Sequence, residues 1–410
     1  MAREQWTYVL VGGGLACARA VEGIREVDPK GAILLVAAEK RLPYHRPPLT
    51  KGLLLGKKKP SEVFCKPHDF YENTLVRILT GTRATRLDPQ ARVVSLEDGS
   101  EIGFERLLLA TGSRARTLSI PGSDLEGIQT IRTLDDALAL LAAIPQIRTA
   151  VVIGGSYIGA ETASALAQNG IETTILFPEG RLLERLVDAE FGGYLHRLFE
   201  ARAVRILPGR TPSAFLGKGR IEAVLTDRGE RIEADLAVLG VGAILNDELA
   251  RKAGLEPGTR GGVRVDSRLR TSAEAIYAAG DIAEYPDAVF EKHLRLEHWD
   301  TAFRQGRIAG MNMAGADQPY EALPHYFSTL FDLGFSVWGD FSKWETTIRT
   351  GEIGRVGSWV MYLEGGRLCG ILAFDPVDHD QERAIETLVR SRPDRGRLLE
   401  DLKKQGMKPL

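Results

Sequence analysis

The sequence predicts an α/β protein with two similar halves, followed by a smaller α+β domain. The main observation is an internal repeat, in which a short apolar strand, a glycine-rich turn and a run of helix formers occur at residues 8–18 and again at 150–160. A second apolar strand follows each copy, at 32–36 and at 173–177. Near Ser328 the pattern changes to short alternating stretches, which are typical of antiparallel strands.

Length and composition limit the possible classes of protein. The chain has 410 residues, of which 44% are hydrophobic and 26% charged, and this favours two or three globular domains. A net charge of -2 argues against a nucleic-acid-binding protein. No apolar run approaches the ~20 residues that span a bilayer, and no signal segment stands at the start, so we expect a cytoplasmic protein with no membrane contact.

The remaining elements follow from turn signals between apolar runs. Strand pairs flank Asp98-Gly99 and Arg228-Gly229, which are hairpin signals. In chain order, the predicted strands are 92–96, 102–104, 106–110, 220–226, 231–233, 236–241 and 275–279, then 336–341, 346–350, 358–363 and 368–374 in the tail. Two charged helices are predicted to end the chain, at 378–391 and 394–405.

The first glycine-rich turn has the spacing Gly12-x-Gly14-x-x-Cys17 between a strand and a helix. Gly12 permits a tight turn, and Gly14 lets the backbone approach a pyrophosphate at the free N–H groups of the helix. Cys17, at the third position, is small enough for the helix to pack on the strand. With its second copy, this turn predicts two Rossmann-like three-layer (ββα) dinucleotide-binding domains.

An acidic residue is expected after the second strand, where it would bind the adenosine ribose. Glu39 is the only candidate, and it lies one residue later than expected. The alternative is a solvated loop glutamate.

The most specific stretch is the loop 42–52, in which Pro47-Pro48 restricts the backbone and Arg46 and Lys51 supply positive charge. It resembles the FAD-dependent pyridine nucleotide reductase superfamily, within it the ferredoxin reductase and apoptosis-inducing-factor group. The hallmark of that group is Tyr-x-Arg-Pro-Pro-Leu-(Ser/Thr)-Lys. The resemblance implies that Arg46 contacts the FAD phosphates and that Lys51 lies beside flavin N5. The alternative is a proline-rich surface loop.

The resemblance continues along residues 7 to about 340. It includes Thr111-Gly112, at the crossover between domains, and Gly280-Asp281, where it implies a hydrogen bond from Asp281 to the ribityl chain. It also includes His298-Trp299, and the resemblance implies that these two residues lie near the flavin ring. We therefore expect an FAD-binding domain at 1–115 and 245–325, an NAD(P)H-binding domain at 116–244, and a C-terminal α+β domain at 326–410.

The second turn reads Gly154-x-Ser156-x-x-Gly159 and predicts the NAD(P)H site. Ser156 replaces the middle glycine, so the approach of a pyrophosphate there is looser. The resemblance implies that Tyr157 covers the flavin face until the nicotinamide displaces it.

Glu161 matches a family glutamate that pairs with the flavin-side lysine, here Lys51. Such a pair would stabilise negative charge on the reduced flavin. The alternative is an ordinary glutamate near a helix N-terminus.

Glu179 follows the second strand of this half, where a carboxylate suits the free 2′-hydroxyl of NADH and repels a 2′-phosphate. Arg181 lies two residues further and can weaken that preference. We expect NADH, with NADPH as the alternative.

The cysteines restrict the route by which electrons leave. Cys17, Cys65 and Cys369 form no redox pair and no metal-binding spacing, and no cysteine stands where disulfide reductases carry theirs. We therefore expect electrons to pass singly to a small iron–sulfur carrier. The family's Trp-Ser-Asp motif corresponds to residues 324–329, which lack both Trp and Asp, so the acceptor stays open.

Four basic residues could form a docking patch for an acidic partner, and the alternative is that they are ordinary solvated surface. They are Lys292, Arg295, Arg304 and Arg307.

The sequence thus predicts an NAD(P)H-dependent flavoprotein reductase of ferredoxin- or rubredoxin-like carriers. One alternative is an NADH oxidase or a quinone or dye reductase. Another is a redox-sensing interaction protein similar to apoptosis-inducing factor. A homodimer stays an open alternative.

Overall fold

The structure is a computed structural model that describes residues 4–404 and 407–409. The strands are β1 (Glu4–Val11), β2 (Ile33–Ala37), β3 (Val76–Thr80), β4 (Ala84–Asp88), β5 (Val93–Leu96), β6 (Glu101–Leu109), β7 (Ser113–Ala115), β8 (Ile128–Thr130), β9 (Thr149–Ile153), β10 (Glu172–Phe177), β11 (Arg205–Pro208), β12 (Pro212–Lys218), β13 (Arg220–Thr226), β14 (Arg231–Glu233), β15 (Leu236–Leu239), β16 (Ala243–Leu245), β17 (Val263–Arg264), β18 (Ile276–Ala278), β19 (Ala283–Asp287), β20 (Lys292–Leu294), β21 (His325–Leu330), β22 (Leu333–Gly339), β23 (Thr346–Thr350), β24 (Trp359–Glu364) and β25 (Arg367–Phe374). The α-helices are α1 (Leu15–Val27), α2 (His68–Asn73), α3 (Leu134–Ala143), α4 (Tyr157–Gln168), α5 (Ala189–Glu200), α6 (Glu248–Lys252), α7 (Trp299–Met313), α8 (His379–Ser391) and α9 (Arg395–Lys404).

The chain divides into two compact units. The first contains the chain up to His45, Ser61–Arg114 and Ile244–Pro324. The second contains Arg46–Pro60, Ala115–Ala243 and the chain from His325 onward. The division into three domains at 115, 245 and 326 stays a prediction.

The core of the first unit is a sheet with the strand order β3-β2-β1-β6-β5-β4, to which β18 adds beside β6. β1 is parallel to both of its neighbours, with Val9 opposite Leu34 on one side and Leu107 on the other. β2 is a continuous apolar run that is buried throughout, as expected for a central parallel strand. The parallel strands end at the same edge, next to the turn that leads into α1.

Helices α1 and α7 pack backbone to backbone, and glycines make this possible. A Cβ added at Gly306 would lie 2.3 Å from the carbonyl oxygen of Ala16, and one at Gly310 would lie 2.2 Å from that of Ala20. The contact is reciprocal, since a Cβ at Gly23 would lie 2.1 Å from the carbonyl oxygen of Arg307. This close packing fixes α7 against the helix that follows the first glycine-rich turn.

The second unit contains a five-stranded parallel sheet, with the order β11-β10-β9-β15-β8. The sheet β12-β13-β14 packs its apolar side against it, through Phe215, Val224 and Ile232. Helix α4 follows β9, as α1 follows β1, so the internal repeat of the sequence corresponds to a repeated strand–turn–helix unit.

The tail lies in the same unit and forms an antiparallel sheet with the order β21-β22-β25-β24-β23, followed by α8 and α9. Asp378 begins α8 with a capping box, in which its side chain accepts from the Gln381 N–H. Phe191 of α5 makes edge-to-face contacts with Phe335 and Phe374 of this sheet. The tail thus shares a core with the parallel-sheet part of its unit.

These observations confirm the predicted α/β class with an α+β tail, and they correct some of its elements. Residues 102–104 and 106–110 were predicted as separate strands, but they form one strand, β6, because it pairs with β5 at its start and continues along β1. The tail sheet begins at His325 rather than near Ser328. Gln405, predicted as the end of the last helix, lies outside the described residues. No helix in the described part of the chain is both long and apolar enough to cross a membrane.

We expect Gly306→Ala to lower the free energy of unfolding by about 1–3 kcal/mol, because the new methyl group would meet the backbone of α1. Gly193→Ala in α5 is the matched control. Its Cβ would be 3.7 Å from the nearest atom, so it should be neutral or stabilising by up to about 1 kcal/mol. Thermal and denaturant unfolding measure both variants. Equal stability of the two would contradict the close packing of α1 and α7.

Candidate active site

The first glycine-rich turn is shaped by a close approach between backbone segments. Gly12 has φ +147°, and a Cβ there would lie 2.2 Å from the carbonyl oxygen of Ala110. Cys17 is fully buried beneath the turn. A Cβ at Gly14, by contrast, would meet nothing within 4 Å, so packing within the protein does not require this glycine. Open space above Gly14 is what the close approach of a pyrophosphate needs.

The N-terminus of α1 fits the same ligand. Gly14 is the N-cap residue, and as a glycine it offers the first-turn N–H groups no side-chain cap. Uncapped N–H groups and the positive end of the helix dipole together form an anion site. The turn therefore fits the pyrophosphate of a dinucleotide such as FAD.

The second turn repeats this geometry at the start of α4. Gly154 has φ +118°, and a Cβ there would lie 2.2 Å from the carbonyl oxygen of Gly240. A Cβ at Gly159 would lie 1.8 Å from the carbonyl oxygen of Gly154. Ser156 is the exposed N-cap residue, but its hydroxyl does not cap the helix and instead faces the Gly240 carbonyl at 3.4 Å. The serine therefore leaves the first-turn N–H groups without a side-chain acceptor.

Glu161 is a buried carboxylate with three partners, and its residue is only 7% exposed. Lys51 Nζ lies 2.6 Å from Oε1. Ser328 Oγ donates to the same oxygen at 2.7 Å, and Thr50 Oγ1 donates to Oε2 at 2.5 Å. The predicted pair of Lys51 and Glu161 is thus present, and two hydroxyl groups that we did not predict complete it.

Tyr157, one turn before Glu161 on α4, is half-buried and stacks on Phe335 with a centroid distance of 6.2 Å. Burial, and after it the Glu161 carboxylate, raises the pKa of this phenol above its usual value. Tyr157 therefore stays neutral at physiological pH.

Arg46 begins the same loop as Lys51, immediately before the 3-10 helix Pro47–Thr50. Its Nη1 donates to the carbonyl oxygen of Arg132. This bond to the backbone helps to hold the guanidinium in place.

In the first unit, Asp281 is buried and accepts a hydrogen bond from Ser113 Oγ at 2.6 Å. The neighbouring Gly280 has φ +77°, and its N–H donates to Gln305 Oε1 on α7 at 2.9 Å. The carboxylate predicted to bind a ribityl chain is thus bonded by β7, the strand after Gly112, and the preceding Gly280 is held by Gln305 in the middle of α7.

Thr111 and Gly112 are fixed by Asn246. Thr111 Oγ1 donates to the Asn246 carbonyl oxygen at 2.5 Å, and the Asn246 side chain donates to the Thr111 carbonyl at 3.0 Å. The Asn246 N–H donates to the Gly112 carbonyl at 2.9 Å.

His298 and Trp299 begin α7. His298 is the N-cap residue and accepts from the Asp300 N–H through Nδ1. Trp299 donates from Nε1 to His45 Nδ1 at 3.0 Å and stacks on Phe303. The start of α7 is therefore bonded to His45, the residue before Arg46 in the sequence.

The two candidate ribose ligands each have a partner. Glu39 accepts a hydrogen bond from Tyr44 at 2.5 Å. Glu179 lies 3.2 Å from the exposed Arg185, and Arg181 pairs with Glu184 at 3.1 Å instead. Arg181 is therefore engaged elsewhere, and Arg185 is the cation closest to Glu179.

The structure distributes the predicted residues between the units. The first unit contains Gly12, Gly14, Cys17, Glu39, Thr111, Gly112, Gly280, Asp281, His298 and Trp299, and the second contains Arg46, Lys51, Gly154, Ser156, Tyr157, Gly159, Glu161 and Glu179. Thr50 and Ser328 were missed. The family hallmark signals Thr50 through its Ser/Thr position, whereas nothing local to Ser328 indicates a contact 167 residues away.

The arginines of the candidate docking patch are ion-paired: Arg295 with Glu297, Arg304 with Asp300 and Arg307 with Glu26. Their charge is locally compensated, which favours the interpretation as solvated surface.

Comparison with known proteins gives consistent matches. A family model described as pyridine nucleotide-disulphide oxidoreductase matches residues 6–306. The ferredoxin–NAD(+) reductase component of the anthranilate 1,2-dioxygenase system of Burkholderia cepacia is 36% identical, with 88% of each chain covered. Rubredoxin-NAD(+) reductase of Pseudomonas putida is 35% identical, with 82% of this chain and 88% of that one covered.

Among solved structures, the covalent complex of putidaredoxin reductase with putidaredoxin matches with a TM-score of 0.89 and 29% identity. The match covers 96% of this chain and 94% of that one. The similarity therefore includes the tail as well as both parallel-sheet parts.

The three thiols should differ sharply in reactivity. Burial raises the pKa of both Cys17 and Cys369 to about 12, and both residues are fully buried, whereas Cys65 is partly exposed. At pH 8 we expect Ellman's reagent to react readily with one thiol in the folded protein and with three in guanidinium. Cys65→Ser should remove the fast reaction. Rapid labelling of Cys17 or Cys369 would contradict this assignment.

Proposed function

The chain belongs to the pyridine nucleotide-disulphide oxidoreductase family, and we propose that it is an FAD-dependent reductase that passes electrons from NADH to a small iron–sulfur protein. FAD and a pyridine nucleotide are the cofactors of this family. The relatives named above are reductases of ferredoxin and rubredoxin, and this supports a carrier of that class as the acceptor.

The observation that carries the proposal is the buried ion pair of Lys51 and Glu161. FAD, when bound, would supply hydride acceptance and one-electron transfer. Lys51 would then stabilise the negative charge of the reduced cofactor as a preorganised cation. Glu161 holds the ammonium group of Lys51 in place, and the partly buried position of the pair makes the electrostatic effect of the ammonium stronger than in water.

Other residues would bind and orient the two nucleotides. We assign the FAD pyrophosphate to the turn at Gly12 and Gly14 and to Arg46, and the ribityl chain to Asp281. The remaining FAD contacts are assigned to Glu39, Thr111, Gly112, Gly280, His298 and Trp299. The NADH pyrophosphate is assigned to the turn at 154–159, and Tyr157 to the cover over the nicotinamide position.

The cysteines support a one-electron acceptor over a disulfide. Cys17 and Cys369 are fully buried, and the described part of the chain contains no disulfide. A redox-active thiol pair would need two accessible, neighbouring cysteines.

We further propose a cytoplasmic location, and a homodimer stays an open alternative.

The central test is reduction of the flavin under anaerobic conditions. We expect NADH to bleach the flavin absorbance of the purified protein in stopped-flow experiments. Lys51→Met should slow this reduction about 100-fold, because it removes the cation that stabilises the developing charge. Lys57→Met, an exposed lysine of the same segment, is the matched control and should reduce normally.

Two outcomes count against the proposal. A protein that takes up no FAD would refute it. A protein that reduces quinone or oxygen much faster than ferredoxin or rubredoxin would favour the oxidase alternative instead.

Glu179 should determine the choice of coenzyme. We expect a kcat/KM for NADH well above that for NADPH, and Glu179→Gln should reduce this ratio about 10-fold, because it removes a charge that repels the 2′-phosphate. Glu172→Gln, an exposed residue at the opposite end of β10, is the control. An unchanged ratio in Glu179→Gln would place the discrimination at other residues.

A further inference from the structure

Glu161 joins three parts of the chain that are distant in sequence. Lys51 and Thr50 come from the loop at 46–60, Glu161 from α4, and Ser328 from β21 of the tail. Ser328 is 1% exposed, so its hydroxyl has no access to bulk water. A carboxylate only accepts, so the single hydroxyl proton of Ser328 points to Glu161.

The position of this bond matters because Ser328 and Lys51 share one carboxylate oxygen. Both Ser328 Oγ and Lys51 Nζ lie within 2.7 Å of Glu161 Oε1, while Thr50 holds Oε2. The bond from Ser328 draws part of the negative charge on Oε1 away from the ammonium group. It also fixes the direction in which that oxygen, and therefore Lys51, points.

A second contact fixes β21 against the same helix. Ser164, one turn along α4 from Glu161, accepts a hydrogen bond from the Phe331 N–H at 2.7 Å. The end of β21 is therefore held on α4 at two points one helical turn apart, and Ser328 cannot shift along the helix without breaking both.

We propose that Ser328 is a positioning residue that acts through Glu161 on Lys51 and thereby sets the reduction potential of the bound flavin. The proposal rests on the function proposed above. Without the hydroxyl, the full charge of Oε1 would act on Lys51, and less positive charge would remain to stabilise the reduced flavin. The potential should then become more negative.

The test is the two-electron midpoint potential of the FAD in the full-length protein, measured by dye equilibration without NADH. Ser328→Ala should disfavour reduction about tenfold, which corresponds to a potential about 30 mV more negative. It should also slow flavin reduction by saturating NADH, while the Kd for NADH changes less than twofold. Ser328→Cys fills similar space with a weaker donor and should give a smaller shift in the same direction.

Ser336→Ala is the matched control. Ser336 lies on the adjacent strand β22 and is also buried, and its hydroxyl donates to the carboxylate of Asp375 at 3.0 Å. Loss of the Ser336 hydroxyl should lower the melting temperature as Ser328→Ala does, but it should leave the midpoint potential of the FAD unchanged.

The outcomes separate this inference from the proposed function. If the wild-type protein binds FAD and is reduced by NADH, but Ser328→Ala or Ser328→Cys keeps the wild-type potential, the role of Ser328 is refuted and the reductase function stands. The same conclusion follows if Ser336→Ala shifts the potential equally. If the wild-type protein takes up no FAD, both proposals fail.

Discussion

The carboxylate of Glu161 is largely removed from water, and this constraint organises much of the second unit. A buried carboxylate is costly unless hydrogen bonds and an opposite charge compensate it. Here Lys51, Thr50 and Ser328 provide that compensation from the loop and from the tail. The loop, α4 and β21 therefore meet at one group, and the geometry that satisfies the carboxylate also holds the ammonium.

In the two glycine-rich turns, likewise, one structural feature serves two purposes. In each, the first glycine is required because a carbonyl oxygen from the next parallel strand lies where a Cβ would stand. In each, the following helix begins without a side-chain cap. The same backbone approach therefore builds the turn and leaves N–H groups for an anion, which is why the pattern occurs twice in one chain.

The sequence was sufficient for features that depend on local chemistry. The turns at Gly12 and Gly154, the hairpins, the tail strands and the pairing of Lys51 with Glu161 were all predictable, the last through a family motif. Contacts such as Ser328 with Glu161, or Gly306 with Ala16, depend on how distant segments pack, and no periodicity reports them. The continuity of β6 was missed for the same reason, since pairing with two different strands keeps it extended beyond the hairpin.

The bonds between the tail and α4 have a consequence for how such chains can be recombined. A tail exchanged between relatives, or removed by truncation before β21, would take with it a ligand of Glu161 and the partner of Ser164. The tail is therefore not an interchangeable module appended to a finished catalytic body. Chimeras should respect the pairing of residue 161 with residue 328.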